Sequence, residues 1–345
     1  MTTESAPRPS PAPIPSPEAL RAIVRPFERP DDARAWWVVA TSLPPYVLVW
    51  YLAYRALAVS WWLTLALTVV GGGFVVRTFI VQHDCGHGSF FRSARLRAAV
   101  GRTCSLVTLI PYAWFRRYHG SHHATSSKLH DRGVDIQTLT VREYLALDRR
   151  GRIRYRLLRN PIVLFGAAPL LYFVVGMRLS AFVRPRSLRE RRSIALTNLA
   201  LAALVAAVVT AVGLRAFVLV QLPISLVAST TGMWLFYVQH QFEHTYWAQG
   251  DDWDFGRAAL EGSSYYALPP VLAWFTGYIG FHHVHHLSPR VPCYRLVECH
   301  AGSEILRRVP RMTLGDGLRT MRLKLWDEDA GQLTGWSRGS GASAR

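Results

Sequence analysis

Cysteine is scarce in this chain of 345 residues, and the four present, Cys85, Cys104, Cys293 and Cys299, form no CxxC pair. That speaks against the disulfide framework of a secreted fold and against a thiolate set for an iron–sulfur cluster. Acidic residues are also few, 22 against 40 Lys and Arg, which leaves a formal net charge of +18. Such an excess suggests nucleic acid until its distribution is examined. The first 33 residues lack the apolar core of a signal peptide and instead carry Pro7, Pro9, Pro11, Pro13, Pro15 and Pro17 among small polar groups. Residues 1–33 are expected to be a disordered cytosolic tail, and the Gly-, Ser- and Arg-rich stretch 331–345 a second one. No repeat at a solenoid period occurs. No HExxH motif is present either, which removes the usual zinc-protease signature.

Hydrophobic residues, by contrast, make up 50% of the chain. Four long apolar stretches run from Ala35 to Val59, Trp61 to Val76, Ile194 to Val212 and Phe217 to Val238. Each approaches the roughly 20 residues that a helix needs to cross a bilayer, with Arg55 and Arg77 expected to snorkel from the ends of the first two. Shorter runs at Leu106–Trp114, Ile162–Val175 and Ala267–Phe281 are expected to be interfacial or re-entrant. Trp36, Trp61, Trp62 and Tyr237 suit an aromatic belt at the interface. About twenty Lys and Arg fall between the second and third spans, including Arg116, Arg117, Arg149, Arg150, Arg152, Arg154, Arg191 and Arg192, while the connection after the third span holds only Arg215. By the positive-inside rule that long loop is cytosolic, and its charge faces anionic headgroups rather than nucleic acid. The expected fold is an all-α integral membrane protein. Four transmembrane helices in two hairpins, over residues 34–330, would carry a cytosolic helical cap.

Thirteen histidines are present, and most gather in four groups just beyond hydrophobic segments. The groups are His83-Asp84-Cys85-Gly86-His87, His119-Gly120-Ser121-His122-His123, His240-Gln241-Phe242-Glu243-His244 and His282-His283-Val284-His285-His286. Residues three and four apart share a helix face, so His83 with His87, His119 with His122 and His123, and His282 with His285 and His286 can each converge. Neutral imidazole suits iron, zinc or copper, and so many imidazoles exceed what one ion can use. Two metals are the economical count, and iron fits an oxidising centre beside the membrane better than structural zinc does. A metal transporter would place ligands near the bilayer midplane, whereas these lie at span ends. A lone HxxxH is usually a surface or core pair, so the weight rests on the four groups together. Asp84, Glu243 and Asp135 could orient imidazoles by accepting their spare N–H. Gly86 and Gly120 could permit close backbone approach. His130, His283 and His300 lie off these faces and are expected to be supporting or surface groups.

The motifs HDCGH, HGSHH and HHVHHL, with the run WLFYVQHQFEHTYW over Trp234–Trp247 and the stretch LSPRVPCY after the last box, resemble the membrane fatty acid desaturases of the acyl-lipid kind found in bacteria and plants. The likeness covers about Phe79 to Leu296. It implies two iron ions held by His83, His87, His119, His122, His123, His282, His285 and His286, with a further ligand at His240 or His244. It implies dioxygen as co-substrate, an acyl-lipid or acyl thioester substrate, and an external electron donor, a ferredoxin or a small haem cytochrome with its reductase. His282 stands where front-end desaturases carry Gln, and the HPGG signature of a fused haem domain is absent. A hydroxylase, ketolase or epoxygenase on the same scaffold is the nearest rival, and a histidine-rich metal-binding or transport protein the rival from another class. The expected location is multi-pass in a bacterial inner membrane, with the active site and both termini cytosolic.

Overall fold

The computed structural model describes residues 14–132 and 136–336. The chain is mostly helical with two small two-stranded sheets, and four helical stretches are long and apolar enough to cross a membrane: Asp32–Ala56, Trp61–His87, Leu188–Val212 and Leu214–Val238. The first contains α2 (Asp32–Ala40) and α3 (Leu43–Ala56), separated at Thr41-Ser42 ahead of Pro44 and Pro45, where a helix can start but not continue smoothly. Helix α1 (Pro17–Val24) precedes them, capped by the Ser16 side chain. The expected tail over 1–33 therefore needs correction. Leu20 and Val24 are each 1% exposed and join the main core, burial worth about 1.5–3 kcal/mol per side chain. Residues 1–13 lie outside the described residues. The C-terminal boundary moves too, because strand Gln332–Thr334 pairs antiparallel with Leu325–Asp327 and Leu333 is buried.

Helix α4 (Trp61–His87) is the central element. It packs against α3, α5 (Ala94–Thr108), α6 (Tyr112–Thr125) and, much later in the chain, Leu214–Val238. Its N-terminal half is the expected span, but it runs on through His83 and His87 and stops at Gly88, whose φ of 82° suits glycine at a helix end. Arg77 is therefore not at a span end. It is 4% exposed, lies 3.9 Å over the Trp274 ring, and donates to the Trp274 carbonyl, so snorkelling is ruled out by the helix continuing past it. Arg55, in contrast, is exposed and donates to Tyr51 Oη at 2.9 Å.

Between α6 and the third span lie α7 (Val141–Ala146), α8 (Arg149–Leu158), a π-helical turn at Val163–Ala167, α9 (Ala168–Val174) and α10 (Ser180–Val183). Arg149–Leu158 and Val163–Arg178 meet at a 62° bend, the geometry of either a broken span or a re-entrant loop. Helices α11 (Leu188–Val212) and α12 (Leu214–Val238) follow, then the short α13 (Phe255–Leu260), α14 (Pro270–Phe275) and α15 (His282–Leu287). Exposed Leu196, Leu199, Leu204, Val47, Leu48 and Trp62 give the spans the apolar outer surface that lipid demands. Tyr237 does not belong to a belt. It is 1% exposed and its hydroxyl donates to the Thr320 carbonyl at 2.9 Å. Trp36, Trp61 and Trp62 are exposed.

Helix α4 and α12 approach closely because α4 carries glycine where they cross. A Cβ on Gly72 would sit 2.5 Å from Val227 Cγ1 and one on Gly71 3.0 Å from Ile224 Cδ1. Small residues at such crossings let membrane helices pack by van der Waals contact alone. Gly72→Leu is expected to destabilise the detergent-solubilised protein by about 1–3 kcal/mol, read as a lowered midpoint of thermal unfolding, while Gly120→Ala leaves it unchanged.

Candidate metal centre

Four elements deliver the histidines. The C-terminal turns of α4 carry His83 and His87, α6 carries His119, His122 and His123, the chain just past α12 carries His240, and α15 carries His282, His285 and His286. Their ring nitrogens meet in two adjacent groups. His83, His87, His119, His123 and His285 form one, and His122, His240, His282 and His286 the other, with the candidate ligand atoms of each group within 4.8 Å of one another. In the first, His83 Nε2 lies 2.8 Å from His119 Nε2, which lies 3.1 Å from His123 Nε2. In the second, His282 Nε2 is 2.9 Å from His240 Nε2 and 3.1 Å from His286 Nε2, and His286 Nε2 is 3.2 Å from His122 Nε2.

The sharing of faces departs from the simple expectation. His119 with His123 and His282 with His286, four apart, stay together, whereas His122 and His285 cross to the opposite group. Successive residues turn by about 100° on an α-helix, so i+3 and i+4 lie on either side of residue i. With two groups side by side, each helix can serve both. The sequence HQFEH does not continue α12: the helix ends at Val238, His240 turns inward with 9% exposure, and Glu243 and His244 face solvent. His244, which the resemblance offered beside His240, belongs to neither group: α12 stops short of it and its side chain faces solvent. Glu243 is likewise removed from the centre. Asp135 lies outside the described residues.

Supporting contacts fix the imidazole tautomers. His83 Nδ1–H donates to Asp84 Oδ1 at 2.8 Å, and Asp84 Oδ2 accepts the Cys293 backbone N–H at 2.6 Å, which ties α4 to the segment after the last histidine group. His240 Nδ1–H donates to the Gly262 carbonyl at 3.2 Å. Each contact keeps the proton on Nδ1 and so turns the Nε2 lone pair toward its group. His119 stacks on Phe115 at 5.2 Å, and Phe236 meets His122 edge-on at 5.0 Å. His283 is fully buried but points away, 3.1 Å from His300 Nδ1, and His130 contacts Gln249 at the surface. A Cβ at Gly120 would meet nothing within 4 Å, and at Gly86 only ordinary contacts, so neither glycine is required by close approach. All four cysteines are buried and free. Asp84 was legible as the acid beside a box. Gly262 and the two phenylalanines were not, because nothing in their local sequence marks them.

These residues fit a metal. His87 Nε2 and His285 Nε2 are buried without a hydrogen-bond partner, and the facing Nε2 pairs bring lone pairs together in a way that protein groups alone leave unfavourable. The donor set is all imidazole, borderline in softness and suited to a first-row transition ion. Burial first, then repulsion from neighbouring imidazoles, holds the pKa of His119, His123, His282, His285 and His286 well below the ordinary 6.5. They are neutral at pH 7, the form a metal needs. Burial also pushes His283 down to about 3.

Beside the two groups a cavity of about 840 Å³ extends among α4, α5, α6, α9 and α12. Its walls are chiefly apolar, including Phe79, Ile110, Met177 and Met233, and His83, His119 and His282 face into it. The fold thus combines four candidate membrane spans, two histidine groups that could each hold a metal ion, and an apolar chamber beside them. The fatty acid desaturase family model matches residues 59–313, and the chain belongs to that family. It is 44% identical to a fatty acid desaturase of Bacillus subtilis over 315 residues, 91% of this chain and 89% of the relative. It is 27% identical to an sn-1 oleoyl-lipid 12-desaturase of a Synechocystis species over 274 residues, covering 78% and 75% respectively. The family makes it an oxidoreductase of acyl chains, integral to a membrane.

Two outcomes follow for the centre. Removing metal leaves the buried histidines neutral in the folded protein but free to protonate in the unfolded chain below about 6.5. The unfolded state then binds more protons, so the thermal midpoint of the metal-free protein is expected to hold steady above about pH 7.5 and fall progressively toward pH 5.5. Separately, Asp84→Asn is expected to weaken metal binding about 10–100-fold and His244→Ala to leave it unchanged, measured by metal content after exchange against a chelator.

Proposed function

We propose that the chain is a membrane-bound acyl-lipid desaturase that places a double bond in an acyl chain, and that its two histidine groups hold a pair of iron ions. One observation carries the proposal: His83, His119 and His282, members of both groups, line the apolar cavity, so a hydrocarbon in it can lie beside both candidate metal positions. The chemistry that bound iron supplies is dioxygen-dependent removal of two hydrogens from adjacent methylenes; two external electrons and two protons balance the reduction of dioxygen to two waters. The protein's own part is placement. An acyl chain has no polar handle along its length, so the cavity walls must hold one carbon–carbon bond beside the histidines while excluding water. His83 and His240 keep their protons on Nδ1, against Asp84 and Gly262, and present Nε2 to the centre.

The nine histidines of the two groups are the proposed ligands. In topology, α3–α4 and α11–α12 form two hairpins, and the histidine-bearing ends of α4 and α12 meet at one membrane face. The arginines between the second and third spans make that face cytosolic in a bacterial inner membrane, with the connecting helices as its cap. The electron donor is a ferredoxin or a small haem cytochrome with its reductase, arriving from the same side.

His122→Ala and His285→Ala, each of which removes the crossing ligand of its helix, are expected to abolish unsaturated product in an expressing host while membrane insertion and protein abundance stay normal. Gas chromatography with mass spectrometry of cellular fatty acids checks this. Wild-type product levels from either variant would overturn the ligand assignment, and a hydroxylated or ketone product from the parent chain would overturn desaturation.

A further inference from the structure

The two histidine groups differ in how they meet the outside. In the first, His87, His119 and His123 are half-buried, whereas in the second His122, His282 and His286 are buried. One edge of the centre therefore reaches the surface, at the C-terminal end of α4 and the outer side of α6. The His87 ring centre lies 4.8 Å from those of both His119 and His123, so the three form a single edge.

What surrounds that edge is small or cationic. Residues four apart share a helix face, and on α6 one such face carries Arg116, Gly120 and Ala124, all exposed. A Cβ on Gly120 would meet nothing within 4 Å, so the backbone of α6 stands open beside His119. On one side of His87, Arg116 donates to the Gly86 carbonyl at 3.0 Å. On the other, a Cβ on Gly88 would lie 3.8 Å from Arg97 Nε. Burial pushes the Tyr112 hydroxyl up to about 12, and Arg116, Arg97 and Arg102 all oppose that rise, which gathers the three guanidiniums round one ring. None of them pairs with a carboxylate among the described residues. The acids bonded to α4 and α6 in those residues are Asp84 and Glu190, both buried, and Glu190 is already held by Arg117 at 2.9 Å. The rim is thus left with uncompensated positive charge, which attracts an acidic partner and speeds its approach. Helix α8 is also rich in arginine, but its Arg150 and Arg154 stand beside exposed Ile153, Leu157 and Leu158, the mixture that suits a membrane surface.

We propose that the outer face of α6 and the adjoining end of α4 are the docking surface of the electron donor, a small one-electron protein whose acidic face surrounds its redox group. This rests on the acyl-desaturase function proposed above, which consumes two external electrons for each double bond. Each docking oxidises one donor by one electron and reduces the centre by one, so two dockings serve each turnover. Electron transfer weakens steeply with distance, and the half-buried edge offers a close approach. Arg97, Arg102 and Arg116 draw the acidic rim in, and Gly120 lets it come against His119 and His123.

The test is binding of an acidic plant-type [2Fe–2S] ferredoxin to the metal-loaded protein in neutral detergent, measured by titration calorimetry at low and high salt. Arg102→Glu combined with Arg116→Glu is expected to weaken binding about tenfold and to flatten its salt dependence, with metal content normal. Gly120→Trp, which fills the open space without changing a charge, is expected to weaken binding comparably at normal metal content, and serves if the double variant does not accumulate. Arg150→Glu combined with Arg154→Glu, on α8, is expected to leave affinity within about twofold of wild type. Wild-type binding no tighter than that of the charge-reversed and Gly120→Trp variants, or an equal loss from the α8 reversal, overturns the proposal. So does weakened binding to anionic lipid vesicles with ferredoxin affinity intact, since the arginines would then serve headgroups. Absence of unsaturated product from the parent chain in cells is a different failure, that of the desaturase function itself, and leaves the binding result unaffected.

Discussion

Nine imidazoles gathered in two groups, seven of them with Nε2 within 2.8–3.2 Å of another's, are the constraint around which this molecule is built. Facing lone pairs 2.8–3.2 Å apart repel unless a proton or a cation lies between them, and burial disfavours the proton. The surrounding protein must hold an arrangement that favours a metal. Two devices do so. Rigid helices fix the ring origins, and hydrogen bonds on the far nitrogens, to Asp84 and to the Gly262 carbonyl, fix which nitrogen carries the lone pair. Asp84 matters twice, because its second oxygen binds the backbone of Cys293 and so ties the first histidine group to the segment following the last one.

The exchange of His122 and His285 between groups makes the two halves interdependent. If each motif fed its own metal, one half could form without the other. Here α6 and α15 each contribute to both groups, so a displacement of either helix disturbs both positions. Adjacent rings across the divide confirm how close the halves are, with His123 and His286 stacked at 4.4 Å. The close fit of α4 and α12 at Gly71 and Gly72 has the same purpose at longer range, since these two helices carry the first histidine group and lead into His240.

Much of this was legible in the sequence because hydropathy and local spacing are properties of the chain itself. The four spans and the histidine-bearing ends of α4, α6 and α15 needed no knowledge of neighbours. The failures share a cause. Arg77 looked like a snorkelling end because apolar run length says nothing about a helix that continues, buried, beyond its apolar part. Tyr237 looked interfacial because only the fold brings the Thr320 carbonyl to its hydroxyl. His244 stood beside His240 because the resemblance marks the region and not the residue, and only the turn of the chain after α12 decides which of the two faces inward. Residues 14–33 looked like a tail because proline density outweighs two leucine- and valine-sized contacts, yet Leu20 and Val24 find a core made of distant residues. The cavity was not legible at all, being a space between helices rather than a pattern within one.

That cavity explains why the centre sits where it does. A hydrocarbon chain offers no charge or hydrogen bond by which one carbon could be told from the next, so selectivity has to come from lengths fixed in a rigid body. The histidine groups fix one point, through histidine-bearing elements that converge from four parts of the chain. Gln221, which lines that cavity, is bonded to Tyr46 and Trp50 of α3 and to Ser225, and the cost of burying its carboxamide is offset by hydrogen bonds that also lock α3 to α12. The same packing that keeps the imidazoles together thus also holds constant the distance from the centre to this polar cluster.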